Sequence, residues 1–475
     1  MVRVRRRLAG GPRTAALALA AVLCAVSSGV AANAPRVRTL ILSGPAGTEP
    51  MREPNVAVDP VDPDRIVVTS PSRGLVIESP SGDRHEARAY YWASRNGLRT
   101  WTRGHLEPWK PNYDVASDPA LAFGPDCRVY YAHLDFGDYT KAEKLEDGQW
   151  LEEGGLGLQR SEDCGKTFTP TRIAHNRPGN LQADKDWIAV DTSPGSRYRG
   201  SVYVFFSYIG SLYDKKDTAT DIQFVFSRDG KTFSQPRKVS PNGYVVANAV
   251  RPDGTLDAIW EERRWDSQKI WHVTSTDGGE TFSAPRLVVG LEGTAVLDWP
   301  VLTATEKGTL IAAWCQRSDR SIAGRFEAKI FTSVFEDGAW SRARALEPDL
   351  PAGAFMSTPA LAASEGAAWL LAYGAGAKET QVVLYRAPLD SHRFVKHAVL
   401  GKRDFGVRNY CPGWLDCFEE DPAATEKPET DLFFPGDYVG LSGSGKRVVA
   451  AYVLPRHNGR PVTKLPTLYV SIVDD

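Results

Sequence analysis

The chain has 475 residues, of which 42% are hydrophobic and 24% charged, with a formal net charge of -1. That length supports one large core or several small ones, and the charge balance carries no basic signature for nucleic acid. At the N-terminus Arg3, Arg5, Arg6, Arg7 and Arg13 precede an apolar run from Thr14 to Val26 and small residues around Gly29 to Ala32. This is the order of a secretory signal peptide, cleaved between Ala31 and Ala34, and the run is too short to span a membrane. Residues 1–34 are therefore read as a signal peptide and 35–475 as the mature domain, secreted or periplasmic, with no second apolar stretch to anchor it.

From residue 53 onward one pattern recurs: a short apolar strand, a Gly/Asp/Pro turn, and a second strand rich in aromatic or apolar residues. It starts at 53 (EPNVAVDPVDPDRIVV), 118, 186, 248, 300, 359 and 437 (DYVGLSGSGKRVVAAY), which makes seven units. Alternating apolar residues in short runs between turn residues argue for strands. A second repeat falls between them: SRNGLRTW at 94, SEDCGKTF at 161, SRDGKTF at 227 and STDGGETF at 275. In the form Ser-x-Asp-x-Gly-x-Thr-aromatic, the Asp accepts bonds from nearby amides, the Gly allows a left-handed backbone, and the aromatic is expected to tuck inward.

These boxes resemble the Asp-box, or BNR repeat, of sialidase-like β-propellers. The resemblance implies an all-β propeller of four-stranded blades, each with an inner pair, a third strand before the box and a fourth after it. Seven blades are favoured and six are the alternative. The last unit has only a third strand at 467 to 474, so VRTLILS at 37 to 43 is expected to complete it and close the ring. A closed ring leaves no sheet edge to pair, consistent with a monomer.

Export permits disulfides among Cys127, Cys164, Cys315, Cys411 and Cys417. Cys411 and Cys417 lie close in an irregular stretch; Cys127 and Cys164 belong to two turns of one unit that the propeller sets side by side. Cys315, ending an apolar strand, reads as a buried thiol. Between units six and seven lies an insertion at about 396–435, with Trp414, Glu419, Glu420 and Asp421, suited to a lid. A second long loop, 134 to 156, carries Asp135, Asp138, Tyr139 and Trp150.

In such a fold the boxes share one face, and the long loops and inner-strand entrances share the other. Glu53, Asp118, Asp186, Asp298 and Asp437 fall at those entrances as a partial ring, able to supply a protonated acid beside an ionised one, or to bind Ca²⁺. No other cofactor motif is present: 440 to 446 has phosphate-loop spacing, but Arg447 follows where Ser or Thr is needed. The resemblance further implies an exo-sialidase-like glycosidase with a tyrosine nucleophile, a glutamate partner and an aspartate acid/base. Tyr438, Glu262 (or its neighbour Glu261) and Asp83 are the matching positions. Arg52, Arg264, Arg317 and Arg456, with Asp186 and Asp437, would bind the substrate, arginine forks suiting a sugar carboxylate. Arg52-Glu53-Pro54 stands where the family has Arg-Ile-Pro. The expected ligand is a glycan; the alternative is a non-catalytic propeller that binds a glycan or a protein.

Overall fold

The computed structural model describes residues 35–42, 50–79, 82–107, 114–115, 118–136, 143–144, 150–151, 154–177, 182–209, 220–264, 267–293, 295–317, 328–347, 355–404, 433, 435–455 and 466–474. They contain strands and turns and no helix, and they form seven antiparallel blades of four strands. The blades open with inner strands at Asn55–Val58, Ala120–Phe123, Gln182–Val190, Val246–Val250, Val296–Ala304, Phe355–Ser364 and Gly440–Ser444. Each inner strand contacts the next, and the last contacts the first, so they line the axis. The seven-unit reading of the sequence is thus borne out, and six blades are set aside. In blade 5 the fourth strand is broken into Ala339–Trp340 and Arg344–Ala345.

The burial pattern explains the repeats. Second strands such as Val202–Ile209 and Ala367–Ala375 are buried along their whole length, because neighbouring blades cover both faces. Fourth strands such as Arg286–Glu292 are largely exposed or half-buried. Apolar side chains consequently pack between blades, with Trp92, Trp260, Trp314 and Trp369 fully enclosed.

Closure occurs where the sequence places it. Arg36–Leu42 pairs antiparallel with Pro466–Asp474, from Arg36 opposite Asp474 to Leu42 opposite Leu468. Arg38 of this strand then donates to the carbonyls of Gly97 and Leu98 in blade 1. Arg447 of blade 7 reaches the Pro63 carbonyl (3.1 Å) and Asp64, and bonds Asp474 at 2.7 Å. Polar clasps therefore join the first and last blades across the seam.

Three of the boxes share one hydrogen-bond scheme, and the shorter box at 227 keeps its aspartate part, with Asp229 Oδ1 taking the Thr232 amide at 2.8 Å. Asp163 Oδ1 accepts from the Thr167 amide (2.9 Å) and its Oδ2 from the Thr167 hydroxyl (2.8 Å), while the Gly165 amide donates to Ser161 Oγ (2.8 Å). Asp277 repeats this with Thr281 and Ser275. In the box at 94, Asn96 Oδ1 takes the Thr100 amide (3.0 Å) and Ser94 Oγ the Leu98 amide (2.9 Å), so an amide and a non-glycine residue build the same turn. Phe168 packs against Tyr91 at 4.7 Å and Phe282 against Phe224 at 5.1 Å. Trp101, expected to tuck in likewise, is 42% exposed.

The Asp277 carboxyl feels burial, which opposes ionisation, but the Thr281 and Ser275 donors outweigh it and hold the carboxyl at about 2. A depressed folded-state value contributes stability above the unfolded-state value and loses it as pH falls. Asp277→Asn, which keeps the Asn96-type geometry, is therefore expected to be less stable than the parent at pH 7. Urea midpoints of the two should converge as the pH drops from about 4 to about 2, the interval between the unfolded and folded values. A gap that persists unchanged at the acid end would contradict this role.

Cys127 and Cys164 are disulfide-bonded, with Cα atoms 5.0 Å apart, joining the inner-pair turn of blade 2 to its Asp-box. Cys315 is buried and its thiol donates to the Met356 carbonyl at 3.5 Å. Cys411, Cys417, the insertion around Trp414, and the 1–34 segment lie outside the described residues.

Candidate functional site

Chain direction fixes where chemistry can gather. Inner strands start at the end of the barrel opposite the Asp-boxes, and six of the seven starts share one backbone kink. Glu53 (φ 46°), Asp118 (54°), Lys185 (52°), Trp299 (54°) and Thr358 (51°) are left-handed without being glycine, and Gly436 (103°) is the sixth. Such residues are uncommon and strained, and they persist where the surroundings over-determine them. At Gly436 a side chain is excluded as well, since a Cβ would lie 2.3 Å from the Glu53 amide nitrogen. Blades 3, 5 and 6 add a bulge at the same place, between Asp184 and Trp187, Asp298 and Val301, and Ser357 and Ala360. Bulges re-aim side chains, and here they do so at the axis.

The centre of the cluster is Lys185. Its Nζ lies 3.0 Å from Asp118 Oδ2, 3.0 Å from Asp437 Oδ2 and 3.7 Å from Asp184 Oδ1. It also sits 5.2 Å from the centre of the Trp299 ring and 5.4 Å from that of Tyr438, within cation–π range. The Tyr438 hydroxyl donates to Asp118 Oδ2 at 3.0 Å. Its ring meets Trp299 at 5.4 Å and Trp187 at 5.9 Å. Trp187, Trp299, Asp437 and Tyr438, with Asn55 and Val301, line a pocket on the axis. The site is thus an aromatic-walled pocket with a lysine and several acids at its edge, drawn from all seven blades.

Burial and mutual charge set the protonation of these groups. Burial, then the neighbouring charge of Asp118, push the Tyr438 hydroxyl well above its ordinary value despite Lys185. Asp184 is raised to about 7, chiefly by burial, with Lys185 opposing and Asp118 and Asp437 assisting. Asp186 is pushed far up by burial and by Asp118 and Asp184, and no other described residue donates to either of its carboxylate oxygens. Burial disfavours the Lys185 ammonium, but Asp118 and Asp184 more than offset it, so the side chain stays charged.

Of the ring read from the sequence, Asp118 and Asp437 converge on Lys185, with Asp186 next to them. Asp298 departs: its Oδ2 takes Arg317 Nε at 2.5 Å, and both side chains are buried. Glu262 is not at Tyr438. It accepts from Arg264 Nε and from the Trp271 indole, each at 2.6 Å, so it is tied up within blade 4 together with the arginine expected to bind substrate. Asp118 holds the place beside the tyrosine that Glu262 or Glu261 was expected to fill. Arg52 lies just before the blade 1 kink, its amide bonded to the Pro71 carbonyl. Asp83 falls on the third strand of blade 1, in register with Glu78. The Asp83 side chain, Arg456, Asp138 and Tyr139 are outside the described residues. Asp135, assigned to a loop, is instead buried in a second strand, 3.2 Å from His133. Lys185 and Asp184 were missed; the signal was a lysine between two acids, Asp184-Lys185-Asp186, at an inner-strand start. Among the described residues no group of three His, Cys, Asp or Glu is placed to hold a metal, and no helix is long and apolar enough to cross a membrane.

No family model and no curated protein matches the chain. Solved structures do. An ulvan lyase of polysaccharide lyase family PL25, bound to -[GlcA(1-4)Rha3S]-, is similar at TM-score 0.50 and 8% identity, over 90% of this chain and 95% of that one. A Hadza microbial sialidase is similar at TM-score 0.43 and 12% identity, over 93% and 96%. Trypanosoma rangeli sialidase in complex with the inhibitor DANA is similar at TM-score 0.42 and 11% identity, over 91% and 57%. At these identities the likeness concerns fold, and the first of them supports the propeller read from the Asp-boxes.

Proposed function

We propose that the chain is an exported, glycan-acting propeller whose axial cavity binds terminal sugars of glycans and hydrolyses them as a retaining exo-glycosidase, sialidase-like in mechanism. The observation that carries this reading is the Tyr438–Asp118 contact at 3.0 Å on the rim of a cavity walled by Trp187 and Trp299. Aromatic faces with a few convergent polar groups suit a sugar ring. Tyr438 Oη attacks the anomeric carbon and its proton passes to Asp118, while Asp184, with its value near 7, protonates the departing oxygen. Water then reverses the sequence, so configuration is retained. Asp184 takes the role first given to Asp83, because its carboxyl is already in the cluster. Lys185 supplies the positive charge the acids demand, which leaves Ca²⁺ no role in this reading.

A second reading, a non-catalytic propeller binding a glycan or a protein, is favoured by one observation. Lys185 shares the Asp118 oxygen that would have to accept the tyrosine proton, and this weakens it as a base. Proton NMR of the first-formed product from aryl glycosides and oligosaccharides separates the two. Retention of the anomeric configuration is expected, with turnover in Asp118→Asn reduced by about 10²-fold or more. Inversion contradicts the tyrosine route, and glycan-array binding without turnover transfers the protein to the second reading.

A further inference from the structure

We infer that the axial cavity excludes anions, so that the terminal sugar it accepts bears neither carboxylate nor sulfate; the word sugar rests on the function proposed above, whereas the exclusion rests on the cavity and the charged cluster at its edge. Holding a carboxylate takes a cation whose donors are available to it. Every described cation near the axis is already engaged. Lys185 is surrounded by Asp118, Asp184 and Asp437. Arg317 is held by buried Asp298, and Arg264 by Glu262, with most of its own side chain exposed on blade 4. Arg52 has partners of its own. One ammonium thus faces three carboxyls, and with Asp184 protonated near neutrality two carboxylates still oppose it. Glu53, packed against Gly436, lies at the next entrance, and the Trp187 and Trp299 walls keep the local dielectric low, which strengthens repulsion of a further negative charge.

Two measurements test this, one of them free of any assumption about sugars. Tryptophan fluorescence quenching is recorded for the mature chain and for Trp187→Phe/Trp299→Phe, and the difference isolates the cavity. Neutral acrylamide and cationic caesium should quench that difference signal, with a caesium slope at least about threefold above that of iodide, as a net negative site requires. Asp437→Asn should narrow the gap. Iodide quenching equal to or above caesium overturns the inference. In the second measurement, uncharged aryl glycosides are compared with the matching sialoside and glucuronide. The uncharged set should be preferred by about tenfold or more in kcat/KM or affinity, whereas a preference for the sialoside or glucuronide overturns the inference. If no sugar binds while iodide remains excluded, the glycan reading falls and the exclusion of anions stands.

Discussion

Lys185→Met is expected to lower the free energy of unfolding by about 3–5 kcal/mol, the range for removing one partner of a buried ion cluster. The substitution keeps the stem volume and deletes the ammonium, leaving Asp118 and Asp437 buried at the axis without the group they both contact at 3.0 Å. The pH dependence separates this from a packing defect. Buried carboxylates without a cation are costly only while ionised, so the penalty grows as pH rises through the ordinary carboxylate range, about 3.9, and fades below it. In the parent the sign runs the other way for lysine. Its raised value contributes stability that is complete below about 10.4 and fades only as pH climbs through the folded-state value. Urea denaturation at pH 4 and pH 7 should therefore show a small and a large difference, respectively. Adding Asp437→Asn to Lys185→Met should recover part of the loss at pH 7. A variant within about 1 kcal/mol of the parent at pH 7 would mean that the cluster is well solvated.

Removal of residues 35–42 is the second large effect. It takes away the fourth strand of blade 7, the contacts of fully buried Leu42, and the Arg38 clasp on the Gly97 and Leu98 carbonyls. Burial of one leucine is worth roughly 1.5–3 kcal/mol, a large part of a margin of about 5–15 kcal/mol. The exposed edge is the graver consequence. Pro466–Asp474 would present an apolar strand, ThrLeuTyrValSerIleVal at 467 to 473, with its backbone groups unpaired. A truncated chain should melt at a lower temperature and aggregate in a concentration-dependent way by light scattering, and a synthetic peptide spanning 35–42 should slow that aggregation. A truncated chain that stays monomeric with an unchanged melting temperature would refute closure by this strand.

Much of the architecture was legible because it is written locally. Each Asp-box is a self-contained turn, and each inner pair is a hairpin, so counting them counts blades; the missing strand of blade 7 could be found by subtraction. The site is a different matter. Lys185 meets Asp437 across 252 residues, and within its own segment it sits between two acids that suffice to explain it as a local ion pair. The left-handed backbone at Glu53, Asp118, Lys185, Trp299 and Thr358 carries no sequence mark, because none of these is glycine. Glu262 misled for a simpler reason. A strand alternates faces, and two adjacent glutamates offer no way to tell which one looks where, or that Trp271 and Arg264 claim the second. Tyr438 and Asp437 were reachable because they open a unit already counted.

The most direct test of the central claim is hydrolysis of a panel of fluorogenic glycosides by residues 35–475 and by their Tyr438→Phe variant, with binding followed in parallel through Trp187 and Trp299 fluorescence. The account predicts that the parent turns over at least one uncharged glycoside and that the variant binds it with similar affinity while kcat falls by about 10²-fold or more. Undiminished turnover by Tyr438→Phe would contradict a catalytic centre at the propeller axis.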